Sequence, residues 1–347
     1  MAQDQPVLRA GARERVASIL LVGALSMFFA EVLSGSSVLW FLTPWGWFVT
    51  FWLYLAHTVL FVNLALRYGR MSPLSLYLWG VLFGLYEAWI TKVIWAGYIG
   101  ADPGWGTLAG FSFPELLIIV FIWHPVFSWI LPLLTFEVLG GPSGVLPQHR
   151  RLLVRTRRTI GLGALLATVG ALFLAMNAHG DAGAVVVTIA GSVAVIWVFL
   201  RLAERAAGRP PTIESLRLGR RGMTLLASYL ALLYGLGFLL IVPERIAPPL
   251  TVALTVGLYA VILLLVRAAG RDVPIPAPVA GPLVTRRDLG MGLIVLMALG
   301  IVFAVGLPVA YPFVVVAYLA LIAAGPALLL WAAVTVTRRA RAARRPA

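Results

Sequence analysis

The sequence predicts an all-α polytopic membrane protein of about ten transmembrane helices, with both termini on the same side. Three observations predict it. Of 347 residues, 61% are hydrophobic and 12% charged, about half the charged share of an ordinary soluble domain, and mean hydropathy is +0.97. Apolar runs of about 20 residues, enough to cross a ~30 Å hydrocarbon core, recur along the whole chain. The connections between these runs alternate in charge. With no cysteine in the chain, disulfides, thiolate metal sites and cysteine nucleophiles are excluded. The chemistry left to it uses His, carboxylates, Lys and hydroxyls.

Taken in order, the expected spans are 16–36, 46–66, 73–97, 113–138, 160–178, 184–201, 222–242, 248–266, 289–307 and 312–336. The first, with its basic start and the small residues Ser34-Gly35-Ser36, also fits a signal peptide. Its run is longer than a signal core, contains Glu31 and lacks Ala-x-Ala, so a retained helix is expected. Residues 37–45, with two tryptophans, are too short to cross and belong at the interface. The third span carries Gly80-x-x-x-Gly84, a small-residue pattern that lets helices approach closely. The turn-rich Ala101–Gly106 loop reads as an ordinary connection, with a lid as the alternative. In the fourth span Pro125 and Pro132 each remove a rung of the backbone ladder and free carbonyls near Phe121 and Ser128. Such breaks are tolerated where protein buries them or a wet cavity meets them.

Spans five to ten are built from Leu, Ala, Val, Ile and Gly, with polar content limited to groups such as Asn177, Ser192, Ser228, Tyr234, Thr255 and Tyr318. They read as lipid-facing scaffold in which loss of the Ser192 or Thr255 hydroxyl is near neutral. Ten of the 12 tryptophans precede residue 140. The Gly140–Gly144 segment followed by His149-Arg150-Arg151 is the expected boundary between a four-helix front module, 1–140, and a six-helix rear module, 141–347. No internal repeat is evident, which weakens an inverted-repeat transporter reading.

The net charge is +14, and 25 of the 27 basic residues fall in connections on one side of a ten-span arrangement. By the positive-inside rule that side is cytoplasmic and both termini are inside. The charge therefore marks topology and contact with anionic lipids rather than nucleic acid. The exceptions are Arg245 and Lys92.

A charge at mid-bilayer costs a few kcal/mol, so each one kept there points to a function or a partner. Glu31, His57, Glu87 and His124 lie on four successive spans, between the midplane and the outer quarter at 1.5 Å per residue. Glu87 shares a helical stripe with Gly80, Gly84 and Thr91 and should face protein. Lys92 lies about 140° further round, where it snorkels outward or turns inward. His124 and Ser128 stand one turn apart. Each histidine also fits a plain structural role, bonded to a neighbouring helix. Glu137 is expected to pair with Arg150 or Arg151, and Glu115 to be solvated.

His57, Glu87 and His124 form a His/His/Glu set of the kind that holds a catalytic divalent metal such as zinc with a water position open. Glu31 would be the general base and Lys92 the oxyanion stabiliser of a membrane-embedded hydrolase. Two other readings stand beside it. The same residues can form the relay of a proton- or cation-coupled transporter or channel, or the charges of a non-catalytic subunit or assembly factor that pair with a partner chain.

Three segments carry a family resemblance: Ala30 to Ser36 (AEVLSGS), Gly84 to Lys92 (GLYEAWITK) and Trp123 to Ser128 (WHPVFS) running on to Glu137. Over residues 25–140 they resemble an uncharacterised family of archaeal and bacterial polytopic membrane proteins. The resemblance implies a multi-pass protein of a prokaryotic cytoplasmic membrane and no established activity. More remotely, an acidic then a basic residue on one helix, and a Phe before a His on the next, resemble the CAAX-protease and PrsW-like intramembrane protease superfamily. That superfamily has paired glutamates where Tyr86 precedes Glu87 here, a differently spaced basic residue, and a Phe four rather than three residues before the His.

Overall fold

The computed structural model describes residues 10–98, 106–272 and 280–342. Among these, ten helices are long and apolar enough to cross a membrane. They are Ala12–Val32, Gly46–Tyr68, Pro73–Thr91, Phe113–Leu139, Arg157–Asn177, Ala182–Ala207, Arg220–Leu240, Pro249–Ala268, Arg286–Val305 and Leu307–Ala342. They follow the hydropathy pattern closely. The third stops earlier than expected because Lys92 adopts the left-handed conformation (φ 56°), which only a break in the helix accommodates; a single turn, Val93–Ala96, follows. Most of the Ala101–Gly106 loop, read as connection or lid, lies outside the described residues.

Spans one to four occupy the centre. The sixth span packs on the first, the seventh on the second and on the outer part of the third, the eighth on the third and the tenth on the fourth, while the ninth lies against the fifth and sixth. The later six therefore do not gather into a bundle of their own. They wrap the first four, and buried residues from both parts form one continuous apolar core.

The small-residue pattern of the third span sets the closest approach. A Cβ on Gly80 would sit 2.4 Å from the Pro125 Cα, and one on Gly84 3.0 Å from the Val120 Cα, so the third and fourth backbones touch at both glycines. Opposite them, the fourth span winds as a π-helix over Leu116–Ile130, one extra residue per turn. Pro125 supplies no N–H and crowds the carbonyl a turn earlier, and the wider winding relieves that crowding. Side-chain hydroxyls also reach the carbonyls one turn before each proline: Tyr77 donates to Phe121 O at 2.9 Å and Ser26 to Ser128 O at 2.6 Å.

Polar clamps tie the outer helices to the centre at both ends. At the arginine-rich end, the Asn63 amide donates to Leu216 O and its oxygen accepts from Leu218 N, while Arg209 pairs with Glu14 at 2.9 Å. At the opposite end, the Trp40 indole donates to Ser192 Oγ and the Trp95 indole to Thr255 Oγ1, both at 3.0 Å. This corrects the reading of Ser192 and Thr255 as dispensable, since both are buried acceptors for central tryptophans.

Glu137 finds a different partner from the one expected. Turns at Pro142–Gly144 and Pro147–His149 fold the connection back beneath the fourth span. His149 Nδ1 thereby lies 2.5 Å from Glu137 Oε1 and its Nε2 2.6 Å from Met71 O, with both side chains fully buried. Both neighbours are acceptors, so both ring nitrogens donate and the ring is an imidazolium. Burial opposes that charge, but the hydrogen bond and charge of Glu137 outweigh it and hold the His149 pKa above its ordinary value. Glu115, expected to be solvated, is half-buried and accepts from the Ser112 hydroxyl.

Candidate functional site

The half of the central four spans away from the arginine-rich end holds a run of neighbouring polar side chains. It starts at Glu31, half-exposed near the end of the first span, whose carboxylate accepts from Ser37 Oγ at 2.6 Å and from Tyr54 OH at 2.5 Å. The Tyr54 and Tyr86 hydroxyls are 2.9 Å apart. With the Tyr54 proton committed to Glu31, Tyr86 is the donor of that pair. The residue after Tyr86 is Glu87, whose Oε1 lies 3.3 Å from His124 Nε2. Nδ1 of the same ring is 2.6 Å from Ser128 Oγ. Thr91 adds a hydroxyl donor to the Glu87 carboxylate. Beyond Ser128 the polarity fades, through the Ser26 hydroxyl on Ser128 O and Thr58 on Ser26.

Local structure aims these groups. Glu31, Glu87 and His124 all stand on π-helical stretches, Phe28–Val32, Glu87–Thr91 and Leu116–Ile130. An extra residue per turn rotates a side chain by about 100° relative to an α-helix continuing through the same point, and such stretches are frequent at functional sites. The glycine approach at Gly80 and Gly84 brings the third span close enough for Glu87 to reach His124 across the interface.

Of the residues singled out in the sequence, Glu31, Glu87 and His124 share this run, whereas His57 and Lys92 do not. His57 Nδ1 bonds Leu53 O at 2.8 Å, so it carries the hydrogen and Nε2 accepts from Tyr234 OH at 3.1 Å. The Phe83 ring lies between the two histidines, stacked 5.0 Å from His57 on one face and 5.7 Å from His124 on the other. A three-ligand centre of His57, Glu87 and His124 is therefore not formed. Among the described residues no group of three His, Asp or Glu is placed to hold a metal ion. His57 instead borders an apolar crevice of about 280 Å³ between the second and seventh spans, with Phe61, Leu230 and Tyr234.

Lys92 is likewise committed elsewhere. Its buried ammonium donates to Gly237 O at 2.6 Å, Phe238 O at 2.9 Å and Ile241 O at 2.5 Å. These are carbonyls at the C-terminal end of the seventh span, where a helix has no N–H donors of its own and a cation is favoured. Lys92 thus caps a neighbouring helix and is not available to a developing oxyanion beside Glu87.

Tyr54, which donates to Glu31, and its partner Tyr86 were not among the sequence candidates. A usable signal existed: Tyr54 falls one turn from His57, Tyr86 precedes Glu87, and a buried tyrosine hydroxyl needs a partner.

A stretch of 127 residues, 37% of this chain, is 40% identical to an uncharacterized protein of Archaeoglobus fulgidus, and the match covers 40% of that protein's length. No solved structure matches the chain. A family model matches residues 20–344, nearly the whole chain, and with ten apolar helices of membrane-crossing length the chain belongs to an uncharacterized membrane protein family.

Proposed function

We propose that this protein is a membrane-embedded hydrolase that works by acid–base chemistry at the Glu31, Glu87, His124 and Ser128 site. One observation carries the reading: Glu87, His124 and Ser128, from two helices, stand in the order carboxylate, imidazole, hydroxyl. In that order a base can draw the proton from a nucleophile while the carboxylate orients the ring and stabilises its charged form. His124 takes the proton of Ser128 or of a water in its place, Glu87 holds the ring, and the Glu31 carboxylate, held by Ser37 and Tyr54, supplies a second base at the far end of the run. The donor set does not suit a divalent metal, because both His57 nitrogens are committed to Leu53 and Tyr234, and no step is assigned to one. We also propose that the chain sits in a prokaryotic cytoplasmic membrane with its arginine-rich face inside, as the positive-inside rule and the archaeal relative suggest.

The test is mass spectrometry of lipids and peptides in membranes lacking the chain, then supplied with wild type, Glu87→Gln, His124→Gln or Ser128→Ala. The expectation is a product set that returns with wild type and falls about 100-fold or more with each variant, while the purified variants keep their melting temperature. Undiminished product with Glu87→Gln would refute the assignment.

A second reading, a proton relay, is favoured by the neighbouring hydroxyl, carboxyl and imidazole groups from Glu31 to Ser128. The run stops at Ser26 and Thr58, short of the arginine-rich face. Glu87-dependent proton flux in proteoliposomes, with no hydrolytic product, would favour the relay over the enzyme.

A further inference from the structure

A second feature lies far from this run, at the arginine-rich end of the sixth span. There an open cavity of about 600 Å³, a size typical of small-molecule sites, is lined by Trp197, Arg201, Glu204, Arg205, Gly208 and Arg209. Trp197, Arg201, Arg205 and Arg209 recur every fourth residue and so line one face of the helix and its exit.

The charges do not balance within the protein. Glu204 is shared by Arg201 at 3.0 Å and Arg286 at 2.7 Å, and Arg209 is engaged by Glu14 at 2.9 Å. Among the described residues Arg205 has no carboxylate within ion-pair reach. Four guanidinium groups thus face two carboxylates. The Trp197 ring, over which the Arg201 guanidinium sits at 5.5 Å, marks the level where a membrane's apolar and polar zones meet.

What lies next to the cavity identifies the ligand's other half. Val187, Ala190, Ala194 and Val198 continue along the helix from Trp197 as an exposed apolar stripe. In a membrane that stripe faces acyl chains, and it leads directly into the arginines. We propose that this cavity binds one anionic phospholipid: the headgroup phosphate bridges Arg201 and Arg205 in the forked geometry that guanidinium favours, and an acyl chain lies along the Val187 to Val198 stripe. A free phosphate would satisfy the arginines but leave the stripe unused, so the lipid is the better fit. The location agrees with the preference of basic pockets between membrane helices for anionic headgroups.

The experiment uses the full chain, purified and delipidated in a neutral detergent. Retained lipid is read by native mass spectrometry after addition of equal amounts of phosphatidylglycerol and phosphatidylcholine. Wild type should retain one phosphatidylglycerol selectively. The double variant Arg201→Ala/Arg205→Ala should lose that selectivity about tenfold, whereas Arg338→Ala/Arg339→Ala, which removes the same charge from the exposed end of the last helix, should not. Arg205→Ala alone, at a residue without an ion pair among the described residues, reads the same effect if the double variant folds poorly. Three results would overturn the proposal: equal loss in both double variants, which means diffuse charge attraction; no preference for the anionic lipid; or displacement of the lipid by inorganic phosphate, which means the site reads a soluble anion.

Discussion

The central four spans and the six around them are all apolar enough to cross a membrane, yet they differ sharply in what they bury. Between 61 and 89% of the most apolar stretch of each of the first four is buried, against 11 to 33% for the later six. The third span, the most buried of all, carries Gly80, Gly84, Glu87 and Thr91 on one face. In water the most apolar helix would go inside. In a bilayer, lipid tails solvate leucine as well as protein does, so apolarity alone drives no helix inward. Small residues that allow backbone contact, and polar groups that need partners, decide which helices take the centre.

That contrast can be broken first at the glycines. Gly80→Leu drives a side chain into the Pro125 backbone and should cost about 3 kcal/mol or more, read as loss of folded protein on size-exclusion chromatography. Gly257→Leu, with open space around it, should fold normally. Equal tolerance at the two positions would remove the distinction between centre and periphery.

A smaller effect should follow where a central residue holds a peripheral helix. Lys92→Met strips three carbonyls of the seventh span of their donor, a change of about 2–3 kcal/mol for charged hydrogen bonds. It should speed hydrogen exchange at 235–241 more than anywhere in the second span. Unchanged exchange there would show that the seventh span is held by packing alone.

Ser192→Ala and Thr255→Ala should each orphan a buried tryptophan N–H and lower stability by about 1–2 kcal/mol, seen as a reduced melting temperature in detergent. Ser228→Ala, on an exposed face of the seventh span, is the neutral comparison.

The smallest expected effect depends on pH. The His149 pKa is raised on folding, so the stabilisation from its pair with Glu137 is complete below the ordinary histidine pKa of 6.5 and fades as pH rises through the raised value. Melting temperature should decline over that interval in wild type and stay flatter in His149→Gln; parallel curves would contradict the assignment of charge to His149.

The ten spans were legible because length and hydropathy register directly in sequence. So was the Glu87 and His124 pair, since the glycine stripe fixes the face of Glu87 and the buried cost of each charge demands a partner. The placement of His57 was not legible: depth along a helix can be counted, but its rotation depends on π-helical turns in neighbouring spans, which leave no plain mark in composition. Nor was the role of Lys92, because its partners are backbone carbonyls 145 or more residues away that carry no side-chain signature. The pairing of Glu137 turned on two short turns that bring His149, rather than the adjacent arginines, under the helix end.

The Phe83 ring between the two histidines has a consequence for connectivity. A phenyl group offers neither a donor nor a lone pair, so a proton on the His124 side has no carrier through it toward His57. The direct way between the two imidazoles is thus closed, and the neighbour they share that bears a hydroxyl is Tyr86, whose ring lies 5.1 Å from each.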